Sequence, residues 1–495
     1  MKYVEILKLR YRLLIKYMGS IFMIAGLGFL LPLILMPFRQ EEAIYAIYFL
    51  IPAVILFMIG LILYYQFREV PSDINLNLNE GGVIVVFSWI IVILFSAFPF
   101  IGGMDLTFTQ AVFEAVSGWT TTGLSVIDVQ RAPDIFLLWR SIMQLFGGAG
   151  LAVIALSSIL PMPGPGLYNA EGRTDRLLPH VKHSTLLIMK IYLGYTAGGI
   201  ILYYLFGMNM FDAVNHAMAA ISTGGFSTVS ESIGYWNNPA LEFVTMVLML
   251  LGTINFATHY TLLQGKLSRF FNNAEIKLMG LLLVVLLPLL VIYFGGTMFY
   301  NLSSGIRNSL FQLISAMSTT GFSTIEFNLW PLFANFIIIL LMLIGGGSGS
   351  TAGGIKQFRV YIILKSVFWQ IKEQFLPRNQ VRENFVWRGE TKWYIENEHI
   401  KKIANYIILY LLIFSVGVLV YLAYGYSLGD SMFEFASAMS TVGLSVGISG
   451  AGAPAGILWV NIIGMFLGRL EMFIIILASV KLFKDVKYGL RNRNE

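Results

Sequence analysis

The sequence predicts an all-α polytopic membrane protein, in which ten transmembrane spans and four re-entrant helices are arranged with fourfold pseudosymmetry. Composition is the first observation behind this prediction. Of the 495 residues, 57% are hydrophobic and 12% are charged, which leaves too little polar surface to cover a soluble body. The second observation is the recurrence of apolar segments of about 20 residues, the length that crosses a bilayer. The third is a short glycine phrase that returns four times between those segments.

Apolar runs of spanning length occur at ten places along the chain. They lie roughly at 18–38, 44–65, 82–101, 135–160, 185–206, 240–264, 276–295, 331–371, 403–425 and 456–483. Four more apolar segments are too short to cross, at roughly 109–119, 212–221, 308–318 and 430–440. We predict that these four are re-entrant helices, because irregular backbone at membrane depth is tolerated only where protein or water surrounds it.

A phrase of the form Thr-x-Gly-Leu/Phe-Ser follows each short segment, at 121–125, 223–227, 319–323 and 441–445. Glycine adopts positive φ without strain, so each phrase can turn carbonyl oxygens toward one axis and replace the water shell of a cation. The re-entrant helices end at these phrases, and their partially negative C-termini favour a cation there. The simpler alternative is that the small residues only let helices pack closely. We predict one central pore with a cation-binding filter formed by Thr121, Thr122, Gly123, Thr223, Gly224, Gly225, Thr319, Thr320, Gly321, Thr441, Val442 and Gly443.

The spacing of the phrases predicts how the chain is divided. A two-span hairpin at 1–80 precedes the repeats, and a polar segment rich in charge at 373–401 is expected in the cytoplasm. The pore repeats are predicted at 81–165, 183–266, 274–372, with a broken second helix, and 402–495, which includes a cytoplasmic tail.

The four phrases in register resemble the Trk/Ktr/HKT superfamily of potassium transporters over about residues 81–484, and the extra N-terminal hairpin resembles the TrkH-like membrane subunit of Trk systems. In that superfamily a glycine in every repeat goes with potassium preference. The resemblance therefore implies a potassium-selective filter, with potassium as the transported ligand and no covalently bound cofactor. It also implies a homodimer in membrane lipid whose cytoplasmic face docks a ring of nucleotide-binding, TrkA-like regulatory subunits.

A glycine-rich run at 345–354 interrupts the overlong eighth span. A helix does not continue comfortably through so many glycines, so we predict an unwound loop beside a water-filled cavity. The run lacks the lysine pattern of a phosphate-binding loop. The resemblance implies that this loop closes the pore beneath the filter; the alternative is a kink without a gating role. The predicted gate residues are Gly345, Gly346, Gly347, Ser348, Gly349, Ser350 and Arg469.

Arg469 lies near the middle of the last predicted span, where an arginine is costly and is a functional hypothesis by default. The resemblance assigns it to the cavity below the filter, where its charge impedes cations. The alternative is neutralisation by a carbonyl or carboxylate of a neighbouring helix. On a continuous helix Glu471 points about 200° away from Arg469, so the two are not expected to pair directly.

Basic residues predict the orientation, because loops rich in Lys and Arg stay on the cytoplasmic side. They concentrate at the N-terminus, in the connections at 162–184 and 265–275, between spans eight and nine, and in the C-terminal tail. We predict a multi-pass protein of the cytoplasmic (inner) membrane of a prokaryote, with a retained first helix and both termini in the cytoplasm. Because the basic residues are spread between apolar runs, nucleic-acid binding is not expected.

Other polar residues have plainer interpretations. Residues nine positions before each filter glycine are expected to anchor the re-entrant helices by hydrogen bonds: Glu114, His216, Gln312 and Glu434. Asp212 and Asp430 are interpreted as N-caps, and His259 as a satisfied buried histidine. No metal-site spacing or nucleophile–base pair can be defended, so no enzyme is predicted. A proton- or sodium-coupled potassium symporter using His259, Arg469 and Glu471 is the main alternative, and an intramembrane enzyme is the third.

Overall fold

The computed structural model describes residues 3–70, 76–151, 153–154, 167, 170, 181–294, 301–375, 383–388 and 391–491. Within these residues the chain is mainly helical. The helices are α1 (Tyr3–Gly28), α2 (Ala46–Gln66), α3 (Leu78–Met104), α4 (Phe108–Trp119), α5 (Asp134–Ala149), α6 (Val181–Leu205), α7 (Met210–Ile221), α8 (Pro239–Thr253), α9 (Phe256–Leu263), α10 (Leu267–Asn272), α11 (Ala274–Phe294), α12 (Leu302–Ser318), α13 (Leu332–Ile344), α14 (Gln357–Glu373), α15 (Asn397–Ala423), α16 (Leu428–Met439), α17 (Ala455–Arg469) and α18 (Met472–Arg491). Short 3-10 helices occupy Leu31–Leu35, Gln40–Tyr45, Ser232–Trp236 and Phe327–Leu329.

Length and apolar composition identify the segments that can cross a membrane. Among the described residues six qualify alone: Glu5–Leu35, Gln40–Gln66, Leu78–Met104, Lys182–Leu205, Ala274–Phe294 and Asn397–Ala423. Two bent pairs qualify when each is taken as one span: α8 with α9, and α17 with α18. The all-α polytopic fold class is thereby confirmed. The count of ten stays a prediction, since the eighth span is divided and residues 155–160 of the fourth lie outside the described ranges.

The spans present apolar side chains outward as well as inward. On α11, Leu281, Val284 and Ile292 are exposed although the helix carries almost no polar residues in its middle. Contiguous exposed apolar surface of this kind marks contact with lipid or another protein. The N-terminal hairpin packs inward instead, where the centre of the Phe29 ring lies 4.6 Å from that of Trp139 of α5. Glycines at the α1–α2 contact allow the two backbones to approach closely, since a Cβ on Gly19 would lie 2.7 Å from the Gly60 carbonyl oxygen.

The four short helices predicted beside the glycine phrases are present as α4, α7, α12 and α16. Each ends just before its phrase. The N-cap prediction is wrong for Asp212 and Asp430: the caps are Asn209 and Ser427, whose side chains accept from the backbone N–H three residues later. Asn209 and Ser427 occupy the N-cap position with extended backbone, from which the side chain reaches that N–H, whereas each aspartate lies in the first helical turn and accepts a hydrogen bond from the cap side chain, at 2.8 and 2.7 Å.

The long helices that follow the glycine phrases all end or bend after 13 to 16 residues. The helix α5 ends at Ala149 and α13 ends at Ile344, where the predicted glycine loop begins. The sixth and tenth spans, each of which the sequence analysis gives as one apolar run, are also divided: α8 and α9 meet at 111°, and α17 and α18 meet at 95°. Arg469 is consequently the last residue of α17 rather than a mid-helix residue, and Glu471 has a φ of 57° in the break.

The polar segment at 373–401 contains a β-hairpin that the sequence analysis did not predict. Its strands β1 (Phe385–Arg388) and β2 (Thr391–Tyr394) are antiparallel, with Phe385 opposite Tyr394. Val386 and Ile395 pack with Phe358 and Ile362 of α14 in a small separate cluster. This contact holds the hairpin against the second half of the broken third repeat.

Candidate functional site

The four glycine phrases converge on one cavity. All four phrase glycines, Gly123, Gly225, Gly321 and Gly443, line a space of about 750 Å³. The serine that closes each phrase lines the same space: Ser125, Ser227, Ser323 and Ser445. Segments about 100 residues apart in the chain, on the predicted repeat spacing, are thus brought to one place by the fold.

Within this site the glycines form a closed ring in chain order. A Cβ built on Gly123 would lie 2.3 Å from the carbonyl oxygen of Gly224 in the next repeat. The other three glycines repeat this arrangement. A Cβ would lie 2.0 Å from the Thr320 carbonyl oxygen for Gly225, 1.9 Å from that of Val442 for Gly321, and 2.2 Å from that of Thr122 for Gly443. Only glycine fits at these four positions, since each abuts the neighbouring repeat's backbone. The last contact returns to the first repeat and closes the ring.

The first and third residues of every phrase have positive φ. The glycines have φ between 73° and 96°, as their type allows, and this part of the sequence prediction is confirmed. The threonine that opens each phrase also has positive φ, between 53° and 56°: Thr121, Thr223, Thr319 and Thr441. Positive φ is uncommon for residues with a Cβ and concentrates at functional sites. No local sequence signal indicated this strain in the threonines.

The predicted anchoring residues make the hydrogen bonds expected of them. Glu114 accepts from Ser125 Oγ at 3.0 Å, and Glu434 accepts from Ser445 Oγ at 2.8 Å. His216 lies 3.0 Å from Ser227 Oγ, and Gln312 donates to Thr324 Oγ1 at 3.2 Å. Each side chain therefore ties its re-entrant helix to the segment that leaves the phrase. This holds both ends of every phrase and fixes its curvature.

Arg140 of α5 is a site residue that the sequence analysis passed over. It is buried, and its Nε donates to Glu114 Oε1 at 2.8 Å. Its guanidinium also lies 3.9 Å from the centre of the Phe226 ring and donates to the Ser227 carbonyl at 3.3 Å. The ion pair thus joins the first phrase to the second. An arginine inside an apolar span was the signal that could have identified it.

The glycine loop between α13 and α14 lies against the opening threonines of three repeats. Thr223 Oγ1 lies 3.1 Å from Thr351 Oγ1, and the Gly353 N–H donates to Thr319 Oγ1 at 2.8 Å. A Cβ on Gly353 would be 2.2 Å from Thr441 Oγ1. The cavity is lined from the glycine and serine end of the phrases, so the ring separates the cavity from this loop.

Polar residues at the helix breaks hold the loop in place. Glu275 Oε1 accepts from the Ser348 N–H at 2.7 Å, and the Asn255 side chain donates to the Ser348 carbonyl. Asn255 also caps α9, accepting from the Ala257 N–H at 2.7 Å. An asparagine at this position was the sequence signal for the unpredicted bend in the sixth span.

Arg469 bridges the loop to the first repeat. Its guanidinium donates to the carbonyls of Thr351, Gly147 and Gly148, the last at 3.1 Å. Glu471 instead accepts from Arg359 Nη2 at 2.8 Å. The loop and Arg469 together therefore contact all four repeats.

His259 of α9 is buried and hydrogen-bonded through both ring nitrogens. Nε2 lies 2.8 Å from the Leu251 carbonyl and so donates to it, while Nδ1 lies 3.3 Å from the Tyr195 hydroxyl. Its interpretation as a satisfied buried histidine is confirmed. Among the described residues no three His, Asp or Glu side chains cluster as a metal site.

Two hydroxyls beneath the ring stand out by their surroundings. Thr121 Oγ1 and Thr441 Oγ1 are buried and have no hydrogen-bond partner within the described part of the chain. A buried hydroxyl without a partner costs about 1–3 kcal/mol. Both belong to the opening threonines, and Thr441 Oγ1 lies close to Gly353 of the glycine loop.

Comparisons with known proteins match nearly the whole chain. The family described as TrkH, cation transport protein, matches residues 47–488. A cation transporter of Methanocaldococcus jannaschii is 32% identical over 95% of this chain and 96% of its own, and the Trk system potassium uptake protein TrkG of Escherichia coli is 31% identical over 93% and 96%.

The fold agrees with these matches. The crystal structure of the potassium transporter TrkH from Vibrio parahaemolyticus covers 94% of this chain and 98% of its own, with a TM-score of 0.81 and 25% identity. The resemblance drawn from the glycine phrases is confirmed. The chain belongs to the TrkH family of cation transport proteins.

Proposed function

We propose that this protein carries potassium into the cell through the ring formed by its four glycine phrases. The closed glycine–carbonyl contact in chain order is the observation that carries the proposal, because a ring of carbonyls can replace the hydration shell of a bare cation. The proposed filter residues are those predicted from the sequence, from Thr121–Gly123, Thr223–Gly225, Thr319–Gly321 and Thr441–Gly443. The TrkG and TrkH potassium proteins named above add support for potassium as the ion.

The charges around the ring favour cations. The ring contains no carboxylate, and the C-termini of α4, α7, α12 and α16 lead directly into it, each with a partial negative charge. Three acidic residues, Asp128, Glu231 and Glu326, line the adjoining cavity. Arg140 is its one basic lining residue among those described and is paired with Glu114. A cavity with this excess of negative charge raises the local cation concentration.

The opening threonines supply a second layer of oxygens. Thr223 and Thr319 are engaged by the glycine loop, whereas Thr121 Oγ1 and Thr441 Oγ1 are unpartnered within the described residues. We infer that a cation leaving the ring toward the loop is met by these two hydroxyls. Hydroxyl and carbonyl oxygens without charge suit a weakly held monovalent ion that must be released again.

The gate in this proposal is the loop of Gly345–Ser350 together with Arg469. Its support is that Thr351 and Gly353, which follow these residues in the same glycine-rich run, contact the opening threonines, while Arg469 ties Thr351 to Gly147 and Gly148. Opening requires the loop to leave the threonines.

The proposal extends to the setting of the protein. The basic clusters support a cytoplasmic location for both termini in the inner membrane of a prokaryote. The resemblance of the glycine phrases to Trk systems implies a homodimer whose cytoplasmic face docks a ring of TrkA-like nucleotide-binding subunits, and both are part of the proposal. Crosslinking of the purified protein and co-purification with such subunits test these two points.

Ion flux in proteoliposomes tests the proposed function. The purified protein is expected to take up rubidium into proteoliposomes that contain more potassium inside than outside. External potassium should compete with rubidium uptake more strongly than external sodium does. Reversal potentials in planar bilayers should follow the potassium gradient alone, because the doubly hydrogen-bonded His259 is poorly placed to relay protons. A reversal potential that shifts with pH or with sodium would instead favour the symporter.

Shortening the loop should weaken the gate and spare the filter. Deleting Gly349 and Ser350 removes the link between Gly347 and Ser350 and shortens the reach of Thr351 toward Thr223. We expect faster rubidium flux without any regulatory partner and an unchanged preference over sodium. Parental flux from a folded deletion variant would show that the loop is only a kink.

A further inference from the structure

The second phrase of the ring lacks the side chains that brace the others. In the first and fourth repeats a serine six positions before the filter glycine accepts its N–H: Ser117 at 3.1 Å and Ser437 at 3.0 Å. In the third repeat Ser315 donates to the Phe322 carbonyl at 2.6 Å. The second repeat has Ala219 at this position, which offers no hydroxyl.

The residue before the filter glycine differs in the same repeat. Thr122 and Thr320 have hydroxyls 2.7 Å from those of Thr120 and Ser318, which stiffens their phrases. The equivalent residue of the second repeat is Gly224, which has no side chain. This phrase therefore has the least internal support of the four, although it must hold the carbonyl that abuts Gly123.

Gln144 of α5 supplies the missing support from the first repeat. Its Nε2 donates to the Gly224 carbonyl at 2.6 Å, and its Oε1 accepts from the Phe226 N–H at 3.2 Å. The carboxamide thus grips the peptide groups on both sides of Gly225, and the side chain is fully buried. A Cβ on Gly224 would lie 2.3 Å from Gln144 Cδ, so the glycine leaves the space that the carboxamide fills.

The same position carries a different residue in the other repeats. In three repeats a glycine of the helix after the phrase packs against the carbonyl of the last residue of the re-entrant helix in the same repeat: Gly147, Gly252 and Gly468. These glycines show which positions of the helices are equivalent. Counting from each N-cap, Gln144 then corresponds to three methionines: Met249, Met342 and Met465. Methionine cannot donate a hydrogen bond. The glutamine therefore hydrogen-bonds to the one phrase that lacks supporting side-chain hydroxyls of its own.

We propose that Gln144 is a positioning residue for ion selection, which fixes the Gly224 carbonyl at the junction between the first and second repeats. This inference rests on the proposed potassium filter. Without the carboxamide, the peptide that carries the Gly224 carbonyl keeps only one long backbone hydrogen bond, from the Gly225 N–H to the Ala219 carbonyl at 3.5 Å, and the ring loosens at this junction. A loosened ring of carbonyls adapts to the smaller sodium ion, so discrimination falls while conduction continues.

The test is the ratio of potassium to sodium permeability in planar bilayers. Gln144→Met, which inserts the residue of the other repeats, is expected to lower that ratio at least about tenfold, because both buried hydrogen bonds of the carboxamide are lost. Met342→Leu changes the equivalent position of the third repeat without removing a hydrogen bond and should leave the ratio unchanged. A parental ratio in a folded Gln144→Met variant overturns the proposal.

A rescue separates positioning from general packing. The triple variant Gln144→Met, Gly224→Thr, Ala219→Ser gives the second repeat the braces of the first and should recover the parental ratio. Gly224→Thr alone should fail, because its side chain meets Gln144. If Gln144→Met does not fold, the triple variant decides: folded and selective supports the proposal, folded and unselective overturns it.

A binding measurement distinguishes this inference from the proposed function. Potassium should raise the melting temperature of the parental protein more than sodium does, and Gln144→Met should reduce that difference. A parental protein that neither binds nor conducts potassium contradicts the proposed function itself. A selective parent with an equally selective Gln144→Met contradicts only the role of Gln144.

Discussion

Replacing Gly321 with serine is expected to abolish preference for potassium and to reduce uptake severely. The position has a φ of 85°, which costs a residue with a side chain about 1–2 kcal/mol. The larger effect is steric, because the new Cβ would lie 1.9 Å from the Val442 carbonyl oxygen. That oxygen must move, and the ring opens between the third and fourth repeats. Rubidium uptake in competition with sodium measures both changes.

A matched control isolates the ring contact from the backbone cost. Gly425 has a similar φ of 89° but nothing within 4 Å of its added Cβ. Gly425→Ser therefore carries the conformational cost alone and should leave relative permeability unchanged. Gly123→Ser, with its contact at 2.3 Å, should also admit more sodium. If Gly321→Ser and Gly425→Ser behave alike, the glycines do not form the filter.

Substituting Arg469 with alanine is expected to increase potassium flux in the absence of regulatory subunits. The change removes a positive charge, which opposes a cation by roughly 2 kcal/mol at 8 Å for an effective dielectric constant near 20. It also removes the hydrogen bonds that tie Thr351 of the loop to Gly147 and Gly148. Since about 1.4 kcal/mol corresponds to tenfold in rate, an increase of at least tenfold is expected in proteoliposome assays.

Arg469→Lys separates the two contributions. Lysine keeps the charge but lacks the planar guanidinium group that donates to the Thr351 and Gly147 carbonyls at the same time. Low flux in the lysine variant identifies charge as the barrier, whereas high flux identifies the tie to the loop. Loss of uptake in Arg469→Ala with normal expression would mean that the arginine only supports the fold.

Local sequence patterns were sufficient for the parts of the site that depend on single segments. The glycine phrases, the short helices ahead of them and the loop at 345–354 could each be predicted, because glycine content and apolar length act on the adjacent backbone. The hydrogen bonds of Glu114 and Glu434 were also foreseeable, since each reaches only eleven residues along the chain.

The bend at Arg469 could not be predicted in this way. The segments on either side of it, 461–467 and 472–478, continue an apolar helical pattern, and a single glycine at 468 is tolerated within such a pattern and does not by itself predict a break. Tertiary contacts override that preference: Gly468 packs against the Met439 carbonyl, and Arg469 reaches Thr351 and Gly147. The free energy of these contacts depends on neighbours that the local pattern does not contain.

The sequence by itself determined that the chain is a helical membrane protein with four equivalent glycine phrases, because hydropathy and backbone freedom are properties of each segment. Only the tertiary structure decided which oxygen meets which glycine, and that Gln144 grips Gly224 and Arg469 bridges the loop to the first repeat. These pairs are 80 and 322 residues apart in the chain for Gln144–Gly224 and Arg469–Gly147. Hydrogen bonds and steric exclusion act over a few ångströms, so such partners are set when the repeats close into a ring and not by the spacing of residues along the chain.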